Sequence, residues 1–260
     1  MLAILRLSLV IIALSALSLP APAQDNEDEY DFSEIPVEEE EIPYIGVGGG
    51  IQAHMVLLNL DDLNALAGTL GVPEFSGGLF MVGGGGWTAI GIVPNLRVGV
   101  FGGGGTKEVS ENDTTGGNHR RSLQLINGFT AALIDYAITP FSKFTIAPGV
   151  MLGGGSTTIE FTQTRAGTTY GSLFDPSIPG GPAANHQASI TRGYVHFVPM
   201  VNLEYALTQF ILVRAGGGYA MSFGDTWSDR HGTDIAEVPE KLTADGPSFH
   251  VGLFLGLFQQ

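Results

Sequence analysis

The C-terminal segment of the chain alternates between large apolar side chains and smaller or polar ones. From residue 249 to residue 257 the even positions are His, Gly, Phe and Gly. The odd positions are Phe249, Val251, Leu253, Leu255 and Leu257. A two-residue period is typical of a β-strand whose two faces meet different surroundings. The segment is therefore predicted to be a strand with one face suited to lipid and the other to a crowded interior.

The same alternation recurs from about residue 42 and predicts eight strands. They span 43–57, 79–92, 96–109, 122–138, 143–161, 188–206, 211–224 and 247–258. Three connections are short, and they alternate with four long ones at 58–78, 110–121, 162–187 and 225–246. Short turns on one side and long loops on the other are typical of outer-membrane barrels. We predict an all-β fold, an eight-stranded antiparallel up-and-down transmembrane β-barrel with short periplasmic turns and long outer loops.

Each predicted strand has one apolar face, which is expected to meet lipid because a charge at the middle of a bilayer costs roughly 2–4 kcal/mol. Aromatic residues near the strand ends resemble the two interfacial girdles of such barrels. They are Tyr136, Phe141, Phe144, Tyr205 and Phe210 near the short turns, and Phe80, Phe223 and Trp227 near the long loops. The alternative is a soluble periplasmic β-sandwich, in which the apolar faces of the last three strands pack on each other.

The residues before the barrel divide into two segments. Residues 1–23 have the apolar core and the small residues Ala21 and Ala23 of a signal peptide. Residues 24–42 are predicted to be a disordered acidic periplasmic tail. Ten acidic residues lie between Asp25 and Glu41, and no basic residue in this segment balances their charge. This tail is either a spacer or a binder of cations or a basic partner. The barrel domain is predicted to span 43–260.

Composition narrows the class further. The chain has no cysteine, so a disulfide framework is excluded and stability must come from hydrogen bonding and packing. Of its 38 glycines, 17 stand in five runs inside the apolar alternating segments. We interpret these runs as places where a small barrel curves sharply or where an aromatic ring lies against bare backbone. The net charge of −15, without a basic patch, argues against nucleic acid as a partner.

The first long loop contains a helical pattern. Leu63, Leu66 and Leu70 recur at helical spacing, and Asn59 or Asp61 is a suitable residue to cap the start. A short amphipathic helix here either lies on the barrel mouth or in the membrane interface, or packs only on its own loop. We favour the last of these interpretations slightly.

Charged residues recur on the inward faces of the strands, close to the short turns. If the turn after strand six centres on residue 209, Glu204 lies opposite Arg214. If the turn after strand four centres on residue 139, Asp135 lies opposite Lys143, and Arg97 enters the same half of the lumen. Directly opposed charges of opposite sign attract. We therefore predict a lumen charge cluster of Arg97, Asp135, Lys143, Glu204 and Arg214, which either braces a narrow lumen or gates an ion path.

In these features the chain resembles the small outer-membrane barrels of the OmpA/OmpX type, over about residues 43–258. The resemblance is architectural and includes the alternating final strand from Phe249 to Leu257. Two glutamines follow Phe258, which itself lies off the apolar register, and this departs from the family's terminal aromatic signal. The resemblance implies a bacterial outer-membrane protein that contacts outer-membrane lipid. Relatives of this type serve as structural proteins, adhesins, small-solute pores and, in a few cases, lipid-modifying enzymes.

The last long loop carries the residue types of nucleophilic catalysis. The candidates are Asp225, Ser228, Asp229, Arg230, His231 and Asp234. Polar loops normally contain such residues, and a catalytic triad is recognised by geometry. The six histidines are scattered without the close spacing of metal ligands. We therefore expect no enzyme activity, no cofactor and no metal site.

The functional prediction is a monomer with a structural or surface-interaction role, whose outer loops at 58–78, 162–187 and 225–246 meet an extracellular ligand or protein. A narrow pore for ions or small solutes is the alternative, and an outer-leaflet lipid-modifying enzyme comes third.

Overall fold

The computed structural model describes residues 45–113, 119–165, 167–169, 171, 174, 185–224, 226–239 and 241–259. The predicted signal peptide and acidic tail lie outside these residues, as do most of the third long loop and Asp225. The described strands are β1 Ile45–Val56, β2 Leu79–Ala89, β3 Leu96–Asp113, β4 His119–Tyr136, β5 Ile138–Phe141, β6 Phe144–Arg165, β7 His186–Ala206, β8 Ile211–Gly224, β9 Ser228–Asp229 and β10 Gly246–Gln259. The helix α1 spans Asp61–Leu70.

Eight of the strands form a closed antiparallel ring. Its order is β1, β2, β3, β4, β6, β7, β8 and β10, and β10 pairs back with β1 from Ser248 opposite Val56 to Gln259 opposite Ile45. Closure gives every strand of the ring two partners, which satisfies the backbone hydrogen bonds without a free edge. The predicted eight-stranded up-and-down barrel is confirmed. The two short strands are accessory, since β5 extends along β6 and β9 along β7.

The strand ends differ most from the prediction on the long-loop side. β3 continues to Asp113, β4 begins at His119 and β6 continues to Arg165. The predicted second loop at 110–121 is therefore largely strand, with only 114–118 between β3 and β4. Its residues are polar on both faces, so the apolar alternation stops before the backbone pairing does. Hydrophobic patterning marks where a strand meets lipid, whereas ladder hydrogen bonds continue beyond it.

The ring presents large apolar side chains outward and buries the alternate positions. On β10, Phe249, Val251, Leu253 and Leu255 are exposed, whereas Phe254 and Phe258 are buried in the lumen. On β7, Val195, Val201, Leu203 and Tyr205 are likewise exposed. An outward belt of this kind is what a transmembrane barrel presents to lipid. Trp227 does not join the predicted aromatic girdle at the long loops, because its side chain is buried under those loops.

Two of the glycine runs adjoin aromatic rings inside the lumen. A Cβ atom on Gly48 would lie 2.8 Å from Cζ of Phe258, and one on Gly85 would lie 2.8 Å from Cδ1 of Phe101. At these positions the ring of a neighbouring strand takes the place of a side chain. Glycine therefore lets large aromatic residues fill a barrel that is too narrow for side chains from every strand.

The helix α1 packs on the barrel wall and not only on its own loop. The amide of Asp61 donates to Oδ1 of Asn59 at 2.9 Å, and Gly71 ends the helix with a φ of 69°. Leu63 and Ala67 of the helix pack in one cluster with inward-facing residues of β4 and β6. Residues of the first and last long loops belong to the same cluster. We call this cluster the outer cap; its buried members are Leu63, Ala67, Val72, Phe75, Leu123, Leu125, Ile159 and Trp227. The slightly favoured prediction that the helix packs only on its loop is therefore wrong.

Candidate functional site

The lumen near the short turns is crossed by an arginine that binds two carboxylates. Nε and Nη2 of Arg97 donate to the two carboxylate oxygens of Asp135 at 2.6 and 2.9 Å. Nη1 and Nη2 of the same guanidinium donate to the two oxygens of Glu204 at 2.6 and 2.9 Å. Arg97 and Asp135 are direct partners on β3 and β4, whereas Glu204 stands on β7, two strands further around the ring. The second pair therefore spans the lumen.

A second arginine completes the cluster from β8. Glu204 lies directly opposite Arg214, as the turn around residue 209 predicts. Nε of Arg214 donates to Oε1 of Glu204 at 2.7 Å, and its Nη2 lies 3.8 Å from Oδ2 of Asp135. All four side chains are buried, with at most 2% of any of them exposed. Two positive and two negative charges balance, so the buried cluster carries no formal net charge.

Aromatic rings enclose this charge cluster on the lumen side. Cζ of Arg214 lies 3.8 Å from the ring centroid of Trp87, the distance of a close cation–π contact. Trp87 packs edge-on against Phe254 with centroids 4.7 Å apart, and it stacks on Phe258 at 6.1 Å. The sequence prediction did not include this aromatic layer. The sequence does contain a sign of this layer. Phe254 and Phe258 occupy even positions of the last strand, whereas its outward apolar residues occupy odd positions.

Lys143 does not belong to the cluster. It is exposed in the turn between β5 and β6 with a φ of 69°, and Asp135 faces Gly149 instead. The expected pairing placed the turn at residue 139, but β5 extends the connection, and the register shifts between Ile138 and Phe141. The turn therefore centres about three residues later than predicted, which moves Lys143 out of the lumen.

Above the cluster the lumen changes character. His54, His196 and His250 are buried there with Asn127 and Tyr194. These side chains line a cavity of about 20 Å³. Apolar residues complete the lining, among them Met81, Met151 and Met200. Such a cavity has room for about one water molecule. The outer cap then closes the lumen at the end that carries the long loops.

The polar residues of the last long loop form a turn. Oδ1 of Asp229 accepts the backbone N–H groups of His231 and Thr233, both at 2.8 Å. These bonds, led by the one from Thr233, lower the pKa of the Asp229 carboxyl below its ordinary value. The hydroxyl of Ser228 donates to the carbonyl of Thr191 at 3.4 Å. Each contact supports the local backbone, and Asp225 lies outside the described residues.

Two further features are absent from the part of the chain that the structure describes. Within those ranges, three or more His, Cys, Asp or Glu side chains do not converge in a group able to hold a metal ion. None of the helical residues described there forms a helix long and apolar enough to cross a membrane.

Fold and lumen together define a small outer-membrane-type β-barrel with a filled interior. No family model and no curated protein matches the sequence. Among solved structures, the chain is similar to a major outer membrane protein of Thermus thermophilus, at 11% identity and a TM-score of 0.42, over 81% of this chain and 99% of that one.

It is also similar to Ail, the attachment invasion locus protein of Yersinia pestis, in complex with the heparin analogue sucrose octasulfate. That similarity has 8% identity and a TM-score of 0.39, over 83% of this chain and 99% of that one. The outer membrane protease OmpT of Escherichia coli is similar at 12% identity and a TM-score of 0.32, over 83% and 95%. The strand pairing of the chain itself carries the assignment to this architecture.

Proposed function

We propose that the protein is a sealed barrel of the bacterial outer membrane with a structural or surface-interaction role. The observation that carries this proposal is the double fork of Arg97, which joins β3 to β7 across the lumen. A path for ions along the barrel axis would have to displace this buried network. The outer cap supports a sealed barrel at the other end of the lumen. Its apolar side chains fill the space that a pore would need for water.

The experiment is a semi-native gel of the mature chain folded in detergent, heated and unheated, followed by single-channel recording of the same sample. We expect a heat-dependent shift in mobility without discrete conductance. A folded sample that conducts in discrete steps would contradict the sealed barrel and favour the narrow pore. A chain that stays soluble in plain buffer and shows no shift would contradict the membrane assignment.

The conductance measurement needs a positive control, a variant whose lumen is expected to conduct ions. Replacing both Arg97 and Glu204 by glutamine removes the pair that crosses the lumen and leaves Asp135 with Arg214, so the formal charge stays balanced. The outward-facing pair of Glu108 and Gln124 lies outside the lumen and provides the matched control, Glu108→Gln. If the network is the seal, only the lumen variant shows increased conductance or brief openings.

A structural role and a surface-interaction role can be separated on cells. Arg230 and His231 are exposed in the last loop, so replacing both by alanine should leave the barrel intact. If the loops bind a ligand, this variant restores envelope integrity to a deletion strain but does not restore adhesion. If the role is only structural, deletion weakens the envelope and the loop variant restores every measured property.

We further infer that the protein is not an enzyme. The support is local, because Asp229 is engaged with the backbone of its own turn and Ser228 with β7. Esterase and phospholipase assays on the folded barrel in outer-leaflet lipid are expected to show only background hydrolysis. Hydrolysis that disappears in the variant His231→Ala would contradict this inference.

A further inference from the structure

Two histidines face each other across the seam where the barrel closes. His54 on β1 and His250 on β10 are direct partners in the register of the first and last strands, and we call them the seam pair. Both side chains are buried in the lumen, and their ring centroids are 5.4 Å apart. The closure of the ring brings these two residues together, which their spacing in the sequence does not reveal. A charge on one ring therefore acts directly on the other ring across the seam.

The hydrogen bonds of the seam pair are made with uncharged amides. Nε2 of His54 lies 2.7 Å from the side-chain nitrogen of Gln52. An amide nitrogen can only donate, so this Nε2 accepts the hydrogen bond and carries no proton. Nε2 of His250 lies 2.7 Å from Oδ1 of Asn202, which can only accept, so this Nε2 donates and the lone pair of the ring is on Nδ1. Both bonds suit neutral imidazoles, and proton uptake at Nε2 of His54 breaks the bond with Gln52.

The side chains that line the cavity beside the seam pair are uncharged at neutral pH. From β2, β4, β6 and β7 they include Met81, Asn127, Phe129, Met151, Tyr194 and Met200. The last loop and β8 add Ala244 and Ala220, and β7 adds a third imidazole, that of His196. Since the described lining contains no carboxylate, a proton taken up by either ring of the seam pair stays unbalanced there.

Arg214 and Asp245 are charged groups that act on these histidines from outside the lining. The positive charge of Arg214 on β8 repels a proton on His250. Asp245, in the loop before β10, attracts a proton on His196. The carboxylates of the charge cluster are already bound by its two arginines. Asp245 therefore balances a charge on His196, whereas the seam pair has no such partner among the described residues.

Proton uptake by the seam pair consequently opposes the closure of the barrel. Like charges directly opposite each other on neighbouring strands destabilise the pairing, and a buried charge without a counter-ion is costly. Both costs disappear when β1 and β10 separate and water reaches the rings. From this arrangement we propose that the seam between β1 and β10 is an acid-sensitive closure, held by the neutral seam pair and weakened when its rings take up protons. This property is independent of the surface role proposed above.

The test is urea unfolding of the folded barrel in lipid at pH 7.5 and at pH 5.5, on either side of the value of about 6.5 at which an exposed histidine takes up its proton. The unfolded chain binds these protons and the closed seam does not, so stability is complete above this value and falls below it. Each histidine of the seam pair is expected to raise the unfolding constant about tenfold between the two pH values, and the pair about 100-fold.

Hydrogen exchange locates the change within the ring. At pH 5.5 the amides of β1 and β10 should lose protection before those of β3 and β4, because local opening costs less than global unfolding. Protection factors are compared at the two pH values, so that the pH dependence of the intrinsic exchange rate cancels.

Matched variants assign the effect to the seam pair. His250→Gln keeps a side chain that can donate to Asn202 and removes the proton site, so the rise in the unfolding constant should be about tenfold smaller than in the unaltered chain. His186→Gln, at the exposed start of β7, should keep the full rise. If His250→Gln does not fold, Gln52→Glu makes the same test, because a carboxylate beside His54 balances the charge of its ring and should reduce the rise.

Several outcomes would overturn the proposal. Equal unfolding constants at the two pH values would show that the seam does not respond to acid. An equal rise in His250→Gln and in the unaltered chain would place the response elsewhere. Loss of the rise in His186→Gln would place it on the surface. Equal loss of protection around the whole ring would show that acid loosens the barrel as a unit and not at the seam.

Discussion

The two ends of the lumen are closed in different ways. At the short turns, charged side chains of the wall itself meet across the interior, with Arg97 holding Asp135 and Glu204 at distances of 2.6–2.9 Å. At the long loops, closure is apolar and depends on side chains that two loops bring to the wall, chiefly Leu63 from α1 and Trp227 from the last loop. One seal belongs to the strands, and the other belongs to the connections between them.

This difference sets how each seal can open. The charge cluster is fixed by the strand register on both sides, so separating its members requires the ladder itself to move. The outer cap is attached through loop contacts, including the donation of Lys107 to the carbonyl of Gly78 at 2.9 Å and of Arg121 to that of Leu70 at 3.5 Å. Local opening of such loops costs less than global unfolding. The comparison therefore predicts a rigid closure at one end and a separately unfolding closure at the other.

The largest expected effect comes from breaking the charge cluster on one side only. Glu204→Gln leaves two arginines facing one carboxylate in a buried site, and removing one partner of a buried pair costs about 3–5 kcal/mol. Adding Arg214→Gln restores the balance of charge, so the double variant should be more stable than the single one. Urea unfolding of the folded barrel in lipid measures both free energies.

The matched control for this prediction is Glu111→Gln on an exposed part of β3, where surface substitutions usually change stability by less than about 0.5 kcal/mol. If the double variant were less stable than Glu204→Gln by the full cost of a second independent substitution, the two residues would not be coupled. The network would then have to be described as separate pairs.

The next effect should separate the outer cap from the barrel. Leu63 is 1% exposed, and a buried leucine replaced by alanine typically costs about 2–5 kcal/mol. In the variant Leu63→Ala we expect faster hydrogen exchange in α1 and the last loop, while β3 and β7 near the charge cluster stay protected. Thr69→Ala on the exposed side of the same helix is the control. Uniform loss of protection around the ring would show that the two closures unfold as one.

The sequence predicted the charge cluster better than the outer cap, and the reason is chain distance. A short turn fixes the register of the strands that it joins, so Glu204 and Arg214 could be placed opposite each other by arithmetic alone. Lys143 was misplaced because β5 lengthens its turn. The long loops impose no register, and the contact of Leu63 with the wall depends on a path through the loop that the pattern does not specify.

Contacts between strands that are not neighbours in the sequence could not be predicted either, because no short turn fixes their register. The fork from Arg97 to Glu204 joins residues 107 positions apart. The pairing of His54 with His250 requires the exact closure of the first strand on the last. The alternation predicted which face each residue occupies, but the stagger of a closed ring decides which inward residues meet.

A smaller effect tests how tightly the wall is packed at the charged end. Gly48→Ala adds a Cβ atom 2.8 Å from the ring of Phe258, and overpacking of this kind typically costs about 1–3 kcal/mol. Gly68→Ala in α1 meets nothing within 4 Å, and relief of a helical glycine should stabilise the cap by about 0.5–1 kcal/mol. Urea unfolding and hydrogen exchange measure the two changes in stability. A loss for Gly48→Ala and a gain for Gly68→Ala would support a tightly packed wall at the charged end and open space beside α1. A neutral Gly48→Ala would show that Phe258 moves freely.

The smallest effect concerns the turn of the last loop, which lies outside both closures. The pKa of Asp229 is lowered in the folded protein, chiefly by the N–H of Thr233. The stabilising contribution of the ionised carboxylate is therefore complete above the unfolded pKa of about 3.9 and is lost as the pH falls through the lower folded value. NMR titration of the Thr233 amide should give a midpoint below about 3.9, and Asp229→Asn should abolish the titration. A midpoint at or above that value would mean that the carboxylate does not hold the turn.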